Sequence, residues 1–155
     1  MERAHPPHSH HLRRGRVSEA GRIYLITATC ANRQCFFQSL ISGRAVVQSL
    51  QETVTLAETL CFVVMPDHIH WLIQLNGYAS LDRVVGKVKA RVTRRLRVLH
   101  PELHRTHIWQ PGFHDRAIRR YEDLRVVARY VVANPIRAGL AETVGDYGLW
   151  DACWF

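Results

Sequence analysis

The chain has 155 residues, with 21 Lys or Arg against 13 Asp or Glu, and a net charge of +8 before any of its ten histidines is counted. That length predicts one domain with one core, and the basic excess points to a polyanion partner, nucleic acid above all. No run of about 18 apolar residues occurs, which excludes a membrane-spanning helix. The first stretch has no apolar segment of the signal-peptide kind. The four cysteines, at 30, 35, 61 and 153, form no Cys-x-x-Cys pair, which argues against a zinc knuckle and makes a reducing cytosol the default compartment.

Residues 1 to about 21 are polar and rich in His and Arg, and read as a flexible basic arm. Arg13, Arg14 and Arg16 suit an arm laid along a phosphate backbone. The domain proper runs from 22 to 155. Ile23 to Cys30, β-branched and aromatic, predicts a first strand. From Ser39 to Leu60, Val47, Leu50 and Val54 recur at helical spacing and predict a first helix. Cys61 to Val64 begins a second strand, Met65-Pro66-Asp67 makes a turn, and His68-Ile69-His70 lies on the strand that follows, closed by Asn76-Gly77.

A strand alternates faces, so His68 and His70 share one face while Ile69, Trp71, Ile73 and Leu75 turn to the core. Two neutral imidazoles side by side make a platform for a divalent metal. Asp67 reads as a turn residue. Ser80 predicts the N-cap of a long second helix. Its apolar stripe is Val84, Val88, Val92, Leu96 and Leu99; its basic stripe is Arg83, Lys87, Arg91, Arg94 and Arg95. With few acids interleaved, that stripe reads as a phosphate track for single-stranded or hairpin DNA. Trp109, Phe113 and Trp71 are candidate stacking partners for bases, Trp71 being the one expected to face the core. Ile108 to Ile118 predicts the last strand, and Glu122 to Ala133 a third helix with Leu124, Val127 and Val131 inward, ended or kinked at Asn134-Pro135. The tail from Tyr147 is expected to pack back on the domain. The order β-α-β-β-α-β followed by a helix gives an α+β, ferredoxin-like split βαβ sandwich: an antiparallel sheet with helices on one face, plus a C-terminal helix.

Met65-Pro66-Asp67-His68-Ile69-His70, taken with Tyr130-x-x-x-Asn134-Pro135-x-Arg137-Ala138-Gly139, resembles the HUH single-tyrosine transposases, and within them the REP-associated tyrosine transposases of bacteria. The resemblance runs from about Leu12 to Leu149. It includes Leu12 to Val17 and the stretch Trp109-Gln110-Pro111-Gly112-Phe113-His114-Asp115. It implies the ferredoxin-like fold, with the histidines on a central strand and the tyrosine on the last helix. It also implies that Tyr130 is the nucleophile of a single-stranded DNA endonuclease and strand transferase acting on REP-type hairpins. Such an enzyme forms a 5′-phosphotyrosine and frees a 3′-hydroxyl. Read without the resemblance, Tyr130 is one half-buried aromatic among five tyrosines.

Asn134 follows Tyr130 by four residues, about 40° and ~6 Å along a helix, so the two share a face. Its amide oxygen is a candidate third ligand, beside His68 and His70, for Mg²⁺ or Mn²⁺; the other reading is a helix-end Asn bonded to backbone before Pro135. Two further function classes stand beside the enzyme. One is a non-catalytic, regulatory hairpin-DNA-binding protein. The other is a metal-dependent phosphoesterase with water as nucleophile. The resemblance implies a bacterial, nucleoid-associated protein, and leaves monomer and homodimer both open.

Overall fold

A computed structural model describes residues 19–120 and 122–155. The proposed arm arginines Arg13, Arg14 and Arg16 lie outside the described residues. The sheet grows from one hairpin. β2 (Ala57–Val64) and β3 (His68–Leu75) are antiparallel neighbours. β1 (Ile23–Thr29) lies on the other side of β3, pairing Thr27 with His70 and Thr29 with His68. β4 (His114–Ala117) flanks β1, and β5 (Trp150–Ala152) flanks β2, giving the antiparallel order β4-β1-β3-β2-β5. The expected split βαβ arrangement is therefore present, extended by a strand that the tail contributes.

Alternation along β3 divides the molecule. Ile69, Trp71, Ile73 and Leu75 are at most 1% exposed and join the large core. Over that core lie α1 (Leu40–Gln51) and α2 (Leu81–Leu99). Both begin as serine-capped helices, with Ser39 accepting from the Ser42 N–H and Ser80 from the Arg83 N–H; such caps satisfy donors that a helix start leaves free. The large buried aromatic Trp71 donates its Nε1–H to Thr59 at 2.9 Å, so its polar atom is not stranded.

The opposite sheet face carries a smaller core. α3 (Leu124–Val132), capped by Asp123, packs Val127, Ala128, Val131 and Val132 on Cys61, Val63 and Leu72. Helices thus cover both sheet faces: α1 and α2 one, the C-terminal helix the other. Among the described residues no helix is long and apolar enough to cross a membrane.

Several boundaries differ from expectation for local reasons. α1 stops at Gln51, not near Leu60, and Val54 is 73% exposed. Thr53-Val54-Thr55 is a β-branched run that resists helix, and the Thr53 hydroxyl bonds back to the Leu50 carbonyl at 2.6 Å. Leu99 falls off the buried stripe of α2, at 42% exposed. The long last strand shrinks to four residues, because Gly112 at φ +71 turns the chain and Trp109 pairs only as an isolated bridge with Cys30. Just before β1, the Gly21 N–H bonds to the Leu75 carbonyl at 2.7 Å, tying the chain there to the end of β3.

Candidate active site

The polar side of β3 is where the two-residue period sets His68 and His70 together. Their Nε2 atoms are 3.2 Å apart, with the rings edge to face. Each outer nitrogen has its own partner. His68 Nδ1 lies 2.6 Å from an Asp67 carboxylate oxygen, and His70 Nδ1 lies 3.0 Å from the Thr27 hydroxyl. An ionised carboxylate can only accept, so His68 carries its proton on Nδ1 and presents a lone pair at Nε2. The short contact between the rings then requires His70 to donate from Nε2 and to accept from Thr27 at Nδ1. The row reads Thr27 to His70 to His68 to Asp67, every proton pointing toward the carboxylate.

Asp67 is anchored from the other side. Arg33 donates to its second oxygen at 3.2 Å. Asn32 and Arg33 both sit at positive φ, 52° and 53°, which is costly without glycine. Burial alone would raise the Asp67 carboxyl, yet the hydrogen bonds from His68 and Arg33 outweigh it and hold the group below the usual carboxylate range. His70 moves the other way: burial, then the nearby charges of His68 and Arg137, push its imidazole down to about 4. At neutral pH it is uncharged, the form that can offer a lone pair.

Tyr130 stands on α3, over this same face. Val127 and Val131 of that helix pack on Leu72, the next polar-side residue of β3 after His70, while Tyr130 itself is 62% exposed. The Tyr-x-x-x-Asn-Pro-x-Arg-Ala-Gly run is explained by the helix joint that follows. α3 ends at Val132, and α4 (Asn134–Arg137) begins after Ala133. Pro135 has no N–H for the Val131 carbonyl four residues back; Asn134 Nδ2 donates to that carbonyl instead, at 2.8 Å. Arg137 returns to Tyr130, donating to its carbonyl at 2.7 Å and placing its guanidinium carbon 3.9 Å from the ring centroid. Gly139, at φ +72, lets Leu140 N–H bond the Pro135 carbonyl at 2.8 Å and close α4.

The helix-end reading of Asn134 has its observation here: the side-chain nitrogen is committed to backbone at the joint. Among the described residues no cluster of three or more His, Cys, Asp or Glu could hold a metal. A cation at the two Nε2 atoms would therefore need a neutral oxygen or the substrate to complete its shell.

The basic stripe of α2 lies on the sheet face away from the histidines. Arg83 and Arg94 are exposed. Arg91 and Arg95 both reach Glu52 at the end of α1, Arg91 at 3.4 Å, and Arg95 also donates to Ser49 at 3.0 Å. Lys87 is half-buried on the same helix. Trp109 and Phe113, candidates for base stacking, pack with Trp71 against the large core, and Trp109 donates to the Lys89 carbonyl at 3.1 Å. His114 pairs with Thr27, and Thr27 with His70, so its side chain shares the histidine face two strands away, roughly 10 Å.

Sequence reasoning left Asp67 as a turn residue and did not reach Thr27 or Arg33. Adjacency to His68 was the available signal for Asp67. Thr27 depends on strand register, which nothing local encodes.

Comparison with known proteins gives the chain its family and its fold relatives. Residues 21–134 match the family described as Transposase IS200 like. A REP-associated tyrosine transposase of Escherichia coli K12 is 29% identical over 91 residues, 58% of this chain and 51% of the relative. A Haemophilus influenzae protein named for the same group is 31% identical over 101 residues, 58% of this chain and 56% of the relative. The chain thus spans about half the length of these curated relatives. A solved structure of a REP-associated tyrosine transposase bound to a REP hairpin has a TM-score of 0.68 at 22% identity, covering 87% of this chain and 79% of the other.

Proposed function

Starting from the fact that this chain belongs to the IS200-like transposase family, we propose that it is a single-stranded DNA endonuclease and strand transferase acting on REP-type hairpins. The observation that carries the reading is the pair of Nε2 atoms 3.2 Å apart on the sheet face that also bears the exposed Tyr130. The Tyr130 oxygen attacks a backbone phosphorus after its proton leaves to solvent. The bond from phosphorus to the 3′-oxygen breaks, and that oxygen takes up a proton as a free 3′-hydroxyl. The DNA stays on Tyr130 as a 5′-phosphotyrosine, which conserves the bond for rejoining.

The donor chemistry, two neutral imidazoles with a neutral amide oxygen, would suit a divalent ion. His68 and His70 would hold Mg²⁺ or Mn²⁺, with Asn134 Oδ1 as third ligand, and the ion when bound supplies positive charge to the scissile phosphate. Asp67 fixes the His68 ring and its tautomer, while Thr27 orients the His70 ring and, as a hydroxyl that both gives and takes, pairs with either of its tautomers. Exposed arginines, Arg83 and Arg94 among them, bind flanking phosphates.

The test uses end-labelled single-stranded oligonucleotides carrying the host's repeat hairpins, with Mn²⁺ or Mg²⁺, resolved on a denaturing gel. Wild type gives a metal-dependent protein–DNA adduct and Tyr130→Phe gives none. Hairpin binding without an adduct under either metal would turn the protein into a DNA-binding module. Cleavage without adduct, equal in Tyr130→Phe, would make water the nucleophile.

A further inference from the structure

We propose that Arg137 is the positioning residue of the nucleophile, holding the Tyr130 ring rather than serving as one more phosphate contact. The inference rests on the reading of Tyr130 as the attacking group. An aromatic side chain that is 62% exposed on a helix has little packing to select its rotamer, and a reacting oxygen misplaced by 1 Å can lose about 100-fold in rate. Something must restrain it.

Arg137 meets that need in two ways at once. Its guanidinium lies over the ring, 3.9 Å from the centroid, where the cation is attracted by the negative π face. Its Nη2 donates to the carbonyl of the same residue at 2.7 Å. The ring and its own backbone are thus gripped by one planar group, which fixes the side chain relative to the helix that carries it. This contact is not built into helical spacing. Seven residues along a continuous helix separate two side chains by roughly 10.5 Å of rise. The break at Ala133, with φ −82 and ψ −1, and the short α4 after it bring Arg137 back to Tyr130. The Asn134 bond to the Val131 carbonyl and the Gly139 closure hold that break in shape. Among the described residues no carboxylate pairs with Arg137: Glu122 goes to Arg116 and Asp67 to Arg33.

Arg137→Met keeps most of the side chain's length and removes the charge and the fork; Arg137→Lys keeps the charge. Each is compared with wild type for hairpin Kd by fluorescence anisotropy, and for single-turnover adduct formation at saturating hairpin oligonucleotide with Mn²⁺. Adduct formation in Arg137→Met should slow at least tenfold, with Kd within about threefold, and Arg137→Lys should recover part of the rate. A saturating rate equal to wild type, or a defect confined to Kd, would overturn the proposal. Fluorotyrosine incorporation gives a second readout that needs no catalysis. The ¹⁹F resonance of Tyr130, assigned from its absence in Tyr130→Phe, should shift and narrow in Arg137→Met while the others stay put; an unchanged resonance overturns the contact. Should Tyr130→Phe form the adduct as wild type does, the nucleophile assignment fails instead, and the ¹⁹F result still decides whether Arg137 holds the ring.

Discussion

The two faces of β3 are built to opposite specifications. On one, Ile69, Trp71, Ile73 and Leu75 are sealed under α1 and α2. Even the charges at its rim are committed, with Arg91 and Arg95 converging on Glu52. On the other, α3 covers only part of the sheet, and beyond its apolar contacts lie two imidazoles, a carboxylate and an exposed tyrosine. A single strand thus serves the large core with its odd residues, while its even ones divide between the polar pair His68 and His70 and the smaller core at Leu72. Dense packing on the first face permits the second to hold polar groups in fixed places without contributing much to the fold.

The sharpest way to break that division is to cut each face in turn. Trp71→Ala is expected to lose about 3–5 kcal/mol of unfolding free energy, read by urea denaturation. His70→Ala, one residue away, should abolish adduct formation while changing stability by no more than about 1 kcal/mol at pH 8. Large losses of stability in both variants would end the division.

Acid separates the faces next. His70 in the folded chain titrates near 4, below its ordinary 6.5, so between those values the unfolded chain binds a proton that the folded chain refuses. Stability is therefore complete above about pH 6.5 and declines as pH falls toward 4, by on the order of 3 kcal/mol. Urea midpoints measured from pH 8 to 4 should show this decline, and His70→Gln should flatten it. Asp67→Asn comes third. It leaves the His68 ring without its carboxylate, and Mn²⁺ affinity by titration calorimetry should drop about 10- to 100-fold. The smallest effect belongs to Glu52→Gln, which releases Arg91 and Arg95. If those arginines can reach DNA, the salt dependence of hairpin binding should steepen by about one to two in log–log slope; an unchanged slope would keep them as intramolecular ties.

Much of the fold was legible because β3 announces itself: four apolar residues alternating with two histidines admit one orientation. The serine cap at 80 and the asparagine–proline joint were readable for the same local reason. The errors fall where local preference and tertiary need part. Val54 fits a helical period but sits in a β-branched run, and Leu99 fits the stripe of α2 yet has outrun the sheet it would cover. The tail showed only its aromatic character; Trp150–Ala152 becomes a strand because β2 offers a free edge, a fact about pairing rather than sequence. Of the candidate site residues, His68, His70, Tyr130 and Asn134 were named from spacing and motif. Their supports could not be, since Thr27 depends on register and Arg33 on two left-handed residues. The basic stripe of α2 was visible in the sequence, but which sheet face it occupies and its commitment to Glu52 were not.

The row from Thr27 to Asp67 has a direction, and the direction has a cost structure of its own. With every proton pointing toward the carboxylate, the two facing nitrogens share one hydrogen between them. An electrophile seated there would need both lone pairs, which His70 would offer only with its hydrogen on Nδ1 and the Thr27 hydroxyl turned to accept it. Charge and proton count would stay the same; the Thr27–His70 bond alone would change direction, and His68 would keep donating to Asp67. Threonine is suited to this hinge because a hydroxyl both gives and takes. Thr27, opposite His70 on β1, is thus able to pair with either tautomer of that ring.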